Sequence, residues 1–422
     1  MVRKLFVVLS IAFIVFILTS TVGVYWTNYS RSDGVALPNH ELVGGDFLCF
    51  YVAGLHARTN LELLYDYEQA HIRQQQIIGD RDVHSGYLPF AYPPLLALLF
   101  APLSGLSLQH AYLTWLVFSL LLATIAVILT LQPINMSGSA KWVFFIGSFA
   151  YIPFLINCLG GGQTSGIGLF IFALIYFFLK TNRNFHAGIA LAFSYYKPPL
   201  FLAFFVFVLL HRRWKMLAGF CIMASFLIAG SIMMLGMSGF IAYLQKLSQY
   251  TYGHELMKEI ALPPQLGVGL YAQLMTWLSN TPNFAMLLFL IISGFLILAT
   301  YMMGIRMGPG RHATQFFDLL FALEVAISTL LSLQLLYYDL SVLLVPMIIV
   351  GSWVWKSESM DGAKVFSALA IIGLYTEFVY RDNLADKIPI KAATLLLLML
   401  VVSLLVSVRR KRAMIYNSVS SQ

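Results

Sequence analysis

The stretch Gly44–Tyr65, GGDFLCFYVAGLHARTNLELLY, follows the first long hydrophobic run after a polar gap, and the rest of the chain is read outward from it. One acid, Asp46, opens it. An apolar run comes next: Phe47, Leu48, Phe50, Tyr51, Val52 and Leu55. At helical spacing Phe47, Phe50, Tyr51 and Leu55 form one stripe, which predicts a helix lying in a membrane surface rather than crossing it. An acid at its start stands at the water–lipid boundary, beside a helix N-terminus that favours its charged form. Two roles are open for Asp46. It can cap the helix, a common use of aspartate, or it can accept a proton from a hydroxyl group.

Composition places that stretch in a membrane protein. The chain has 422 residues, 59% hydrophobic and 10% charged, with mean hydropathy +0.81. Soluble domains carry about 25% charged residues. The three cysteines, Cys49, Cys158 and Cys221, are odd in number and far apart, which fits neither a disulfide framework nor a metal spacing.

Upstream, Arg3 and Lys4 precede an apolar run from Leu5 to about Trp26, long enough to span and ending in an aromatic pair, Tyr25–Trp26. It reads as an uncleaved anchor, with a cleaved signal as the alternative. From Thr27 to about Tyr92 the chain is polar and mildly acidic, and Asp66 to Gly79 reads as a second, polar helix. At Phe90–Ala91–Tyr92–Pro93–Pro94 the prolines stop any arriving helix. Leu95 to Leu103 is too short to cross and reads as a re-entrant or surface segment.

Downstream, spans are expected at about 108–131, 141–158, 164–180, 185–196, 199–211, 214–237, 283–305, 313–334, 338–355, 363–380 and 390–408. With the first they make about twelve transmembrane helices, some short or broken, around Lys197–Pro198–Pro199 above all. The fold class is therefore an all-α polytopic membrane protein forming a single integral domain over 1–422: first span 1–26, outer loop 27–107, central spans 108–237, outer loop 238–282, and C-terminal spans with a basic tail 283–422. With the N-terminus inside, the cytoplasmic ends collect sixteen of the 26 basic residues, among them Lys141, Lys180, Arg183, Arg212, Arg213, Lys356 and Arg409–Arg412. That bias obeys the positive-inside rule. It explains the net charge of +8 without any nucleic acid as partner.

Several polar groups gather on the outer face. Lys197 stands at the end of a short span, where a cation either snorkels to water or meets an anion such as a lipid phosphate. Gly160–Gly161–Gly162–Gln163–Thr164–Ser165 is either a plain tight turn or a place where backbone N–H groups approach an anion. Asp339, in Tyr337–Tyr338–Asp339–Leu340, can cap the next helix or hold a sugar hydroxyl. Glu324 lies mid-span, where ionisable groups usually face the protein interior and carry function, although a neutral hydrogen-bonded carboxyl is also possible. His254 and Glu255 fall in the second outer loop, and Glu377 lies near the end of its span. No His, Asp and Glu spacing amounts to a metal site.

These residues carry a resemblance. Gly45–Asp46–Phe47 with Tyr51 and Ala53, then Leu64–Tyr65, Phe90–Ala91–Tyr92–Pro93–Pro94 and Leu99–Phe100–Ala101–Pro102–Leu103 fall in a familiar order. The order continues through Gly162–Gln163–Thr164–Ser165, Ala187–Gly188 with Lys197–Pro198, Arg212–Arg213–Trp214 and Tyr338–Asp339–Leu340. Over roughly 45–340 the chain resembles glycosyltransferase family 87, of the C-type, polyprenyl-phosphate-sugar-dependent membrane glycosyltransferases, which include α-mannosyltransferases. The resemblance implies a C-type fold and an inverting hexosyltransferase. The donor would be a polyprenyl-phosphate sugar, with mannose the family-level expectation, and the acceptor a glycolipid or glycan. Catalysis would occur on the outer face of a bacterial inner membrane, with the catalytic acid early in the first outer loop, where Asp46 stands. Lys197, Gln163, Tyr92, Asp339, Tyr338, His254 and Glu324 are the expected substrate-binding residues; no cofactor and no metal is expected. Many relatives carry a Ser-Pro and a His shortly before the Tyr-Asp-Leu, where this chain reads Ser332–Leu333–Gln334–Leu335–Leu336. A lipid-sugar flippase or secondary transporter, and a non-catalytic scaffold for an envelope assembly, are the alternative readings.

Overall fold

The computed structural model describes residues 2–84, 88–252, 267–304, 311–385 and 390–420, and among these the regular structure is helical. His254 and Glu255 lie outside the described residues. Helix α1 (Val2–Ser30) leads into α2 (Phe47–Thr59), α3 (Tyr67–Ile78) and the seven-residue α4 (Pro94–Phe100). Then come α5 (Leu108–Leu131), α6 (Gly138–Phe149) and a π-helical segment, Pro153–Gly160, that leads to α7 (Ser165–Lys180). Two short helices, α8 (Asn184–Ala192) and α9 (Leu202–Leu210), precede α10 (Trp214–Tyr252) and α11 (Leu270–Trp277). The chain closes with α12 (Pro282–Gly304), α13 (Arg311–Leu330), α14 (Leu344–Trp355), α15 (Gly362–Ala385) and α16 (Ala392–Ser420).

Six helical stretches among the described residues are long and apolar enough to cross a membrane: Ile11–Ser30, Leu108–Leu131, Trp214–Leu247, Pro282–Gly304, Tyr337–Trp355 and Ala392–Ala413. The pair Gly138–Phe149 and Pro153–Gly160, bent by 47°, makes a seventh if it counts as one span. The expected count of about twelve is therefore not reached by this measure. Part of the reason is length. Helices α8 and α9 have 9 residues each. That is about 14 Å of rise against a hydrocarbon layer about 30 Å thick.

Two features shape the helical packing. Leu344 to Val350 on α14 are all buried, as are Leu319 to Leu330 on α13, so these two helices form the centre. Large apolar side chains on the peripheral helices point outward instead: Phe226 is 69% exposed and Phe295 67%. A helix hydrophobic all round at the centre, and apolar on its outer surface at the edge, fits lipid as the surrounding solvent. Helices α8 and α10 meet backbone to backbone, because a Cβ on Gly188 would strike the Met216 carbonyl and one on Gly219 the Phe185 carbonyl.

The burial of α2 differs from the single stripe expected for it. Phe47, Leu48, Cys49, Phe50, Val52, Ala53, Gly54 and His56 are all buried, so the burial runs round the helix instead of along one stripe. Helix α2 packs on α4 and is enclosed by α3 and α5. The periodicity of Phe47, Phe50, Tyr51 and Leu55 could not show this, because protein covers the faces that the stripe left open. The polar helix expected after Asp66 is α3, with the Asp66 carboxylate accepting from the Gln69 backbone N–H at 3.1 Å.

Candidate active site

Two glycine turns build the site. Gly44 (φ +74°) and Gly45 (φ +51°) precede Asp46, and Gly162 (φ +63°) precedes Gln163. All three sit in the left-handed region that a side chain resists. The two turns also touch: a Cβ on Gly45 would come within 3.3 Å of the Gly161 Cα, and one on Gly162 would strike the Gly44 carbonyl and the Phe47 Cβ. The Asp46 backbone N–H donates to the Gly161 carbonyl at 3.2 Å. Buried aromatics on α5 hold the second turn: the Trp115 indole N–H donates to the Gly162 carbonyl at 3.1 Å, and the Tyr112 hydroxyl to the Leu159 carbonyl at 2.9 Å. Tyr25 on α1 donates to the Tyr112 hydroxyl at 2.5 Å. Sequence reasoning missed Tyr112 and Trp115; polar tips on an otherwise apolar helix were the available signal.

Asp46 precedes α2 but makes no side-chain cap hydrogen bond. Its Oδ2 accepts instead from the Gln163 amide, which is 3% exposed. Burial pushes the Asp46 carboxyl up to about 6, while the Gln163 hydrogen bond and the Lys197 charge oppose that rise and the Glu41 charge adds to it. The carboxylate opens on a cavity of about 270 Å³ lined by Cys49, Phe50, Leu88, Pro89, Tyr92, Gln163, Leu336, Tyr337 and Tyr338. Tyr92 packs against Phe50, ring centroids 5.2 Å apart, and its carbonyl accepts from the Tyr65 hydroxyl at 2.8 Å. The Tyr337 hydroxyl donates to Glu377 Oε1 at 3.0 Å, which ties the far wall to α15.

Behind that wall lies a buried ion pair. Lys197 sits where the chain breaks between α8 and α9, before Pro198 and Pro199. Its Nζ donates to both oxygens of Asp339, at 2.8 and 2.7 Å. The ammonium lies 4.8 Å over the Tyr338 ring, so Lys197 stands one aromatic ring away from the cavity and is not itself part of the lining. It is 11% exposed at its side chain and Asp339 not at all, so it does not snorkel into water. Asp339 also accepts from the Ser165 hydroxyl at 2.7 Å and from the Leu336 backbone N–H at 3.1 Å. This one carboxylate therefore joins the glycine turn, the proline break and the Tyr337–Tyr338 segment. It performs part of the expected capping role, and Ser165 is used as its partner.

Residues 90–332 match the family model for glycosyltransferase family 87. The chain belongs to glycosyltransferase family 87. No curated protein and no solved structure matches it. A glycosyltransferase of this family needs a sugar donor and an acceptor, and the matched residues supply Tyr92, Gln163 and Lys197 to the region of the cavity. Asp46, Tyr338 and Asp339 lie beyond the matched span and reach the same place through the fold.

The structure does not bring Glu324 to this group. Glu324 is fully buried on α13 and pairs with His211 Nε2 at 3.1 Å and Arg213 Nη2 at 3.2 Å, both just after α9. On the same helix Asp318 meets Lys180 Nζ at 2.7 Å and the Tyr176 hydroxyl at 2.8 Å. Helix α7 runs from Ser165 at the Asp46 end to Lys180 at this other end, about 24 Å away. Among the described residues no group of three His, Cys, Asp or Glu side chains is placed to hold a metal ion.

Proposed function

We propose that this family 87 glycosyltransferase moves a hexose, mannose by family resemblance, from a polyprenyl-phosphate donor to a hydroxyl of a glycolipid or glycan, with inversion. Asp46 is the general base. The observation that carries this reading is a carboxylate whose Oδ2 is held by Gln163 and which opens on a cavity beside a half-buried Lys197. Above a pH of about 6 such a carboxylate is ionised and still basic enough to take a hydroxyl proton in the transition state. The acceptor oxygen attacks the anomeric carbon opposite the phosphate. The new C–O bond forms as the anomeric C–O bond to phosphate breaks, the proton goes to Asp46, and the electron pair leaves on a polyprenyl phosphate dianion.

That dianion needs a positive field more than a proton. An ammonium has three N–H groups, and Asp339 takes two contacts, so one remains for a phosphate oxygen. The phosphate approaches the Lys197–Asp339 pair from the Tyr338 side, and the polyprenyl chain lies in lipid between helices. The site faces outward from a bacterial inner membrane. Support comes from the opposite end of α7, where Lys141, Lys180 and Lys356 gather around Asp318, as a cytoplasmic end would. The transport reading drew on Glu324, whose two ion pairs keep it away from this cavity.

The test is transfer of labelled mannose from polyprenyl-phosphate mannose to lipid or glycan in membranes containing the chain. Asp46→Asn should lower transfer by about 10²–10⁴-fold with the protein still inserted. Normal turnover by that variant would remove Asp46 from the role.

A further inference from the structure

Gln163 carries more than its bond to Asp46 explains. A carboxylate can only accept, so the Gln163 NH₂ must face Asp46, which turns the amide oxygen the other way. That Oε1 is buried and has no hydrogen-bond partner among the described residues. Buried amide oxygens are nearly always satisfied, and an orphan beside a cavity points to a group that arrives later. Gln163 lines the same cavity as Asp46, and Asp46 Oδ1 makes no hydrogen bond among the described residues. Two acceptor atoms, one on each residue, are thus left without a donor. The donor's phosphodiester carries no O–H at neutral pH and cannot satisfy either of them. Hydroxyl groups can satisfy both.

We propose that Gln163 positions the catalytic base through its N–H and reads the acceptor through its Oε1, which takes a hydrogen bond from the hydroxyl next to the attacking one. The acceptor class is then a sugar or other polyol with neighbouring hydroxyls, not a lone alcohol such as a serine or threonine side chain. Asp46 Oδ1 takes the attacking hydroxyl's proton while Gln163 pins Oδ2, so the carboxylate cannot rotate away. This rests on the reading of Asp46 as the base. The charges bearing on Asp46 are Lys197 and Glu41, and the buried Cys49 thiol lies beside it.

Two measurements test it. Infrared difference spectra of the purified full chain, with Asp46→Asn as the subtraction, read the protonated Asp46 carboxyl against pH. Gln163→Leu removes a donor to the carboxylate and should raise the midpoint by about one unit. An unchanged midpoint overturns the positioning role even if transfer is lost. Gln163→Glu keeps the shape and should titrate with Asp46 in two coupled steps. A single step at the wild-type midpoint overturns the role in the same way, should the leucine variant fail to fold. For the acceptor, a lipid extract of the native membranes is treated with periodate, which cleaves neighbouring hydroxyls, and is then reduced. Acceptor capacity should disappear, and Gln163→Leu should raise the apparent KM for untreated extract about tenfold. Capacity that survives periodate, or an unmoved KM, overturns the acceptor reading. If Asp46→Asn itself keeps normal transfer, the base assignment fails instead, so the two failures are distinguishable.

Discussion

Lowering the pH from 7 to 5 should switch the enzyme off through one group. Burial holds the Asp46 carboxyl near 6, against an ordinary value of 3.8. The shift is upward, so the base form is present above about 6 and is lost as pH falls through that value. With a midpoint of 6 the ionised fraction is about 0.9 at pH 7, about half at pH 6 and about 0.1 at pH 5. The rate at low donor concentration should therefore fall about tenfold between pH 7 and pH 5, with unit slope below the midpoint. The assay is initial transfer from labelled polyprenyl-phosphate mannose in detergent micelles, at constant ionic strength and subsaturating donor. The donor's phosphodiester does not titrate in this range, so the acid limb reports the protein. Among the residues that line the cavity Asp46 is the one carboxylate. A rate that stays flat down to pH 5 would refute the argument that Asp46 is both buried and the base.

Asp339→Leu should destabilise the protein by about 3–5 kcal/mol, since it leaves the Lys197 ammonium buried without its counter-ion. Adding Lys197→Met should recover much of that in thermal unfolding in detergent; equal loss in the single and double variants would refute the pairing argument. Gly162→Ala forces a side chain into φ +63° against the Gly44 carbonyl and Phe47. Parting the two glycine turns by about 1 Å should cost transfer about 100-fold. Wild-type transfer by this variant would show that their close contact does not matter. Glu324→Gln should lower thermal stability, because Arg213 and His211 lose their partner, and leave transfer per folded molecule unchanged. A specific loss of transfer would return Glu324 to the site.

What the sequence made legible follows from how each residue makes its contacts. Asp46, Gln163, Lys197 and Asp339 were all visible as polar groups in apolar or glycine-rich surroundings, because burying such groups is expensive enough to mark them. Their pairings were not visible. Gln163 and Lys197 are both expected to bind substrate, but a carboxylate stands against each of them. Contacts across 117 and 142 residues leave no local trace in a chain. Glu324 was marked by the same rule and lies elsewhere, since the cost of burial says that a partner exists and not which one. The protein cover over α2 was hidden for a related reason: an apolar stripe shows what must leave water, and lipid and protein satisfy it equally. The break expected at Lys197–Pro198–Pro199 is present, between two helices of 9 residues each. That break sets Lys197 where its ammonium can reach Asp339, which a continuous helix through the same residues would not be free to do.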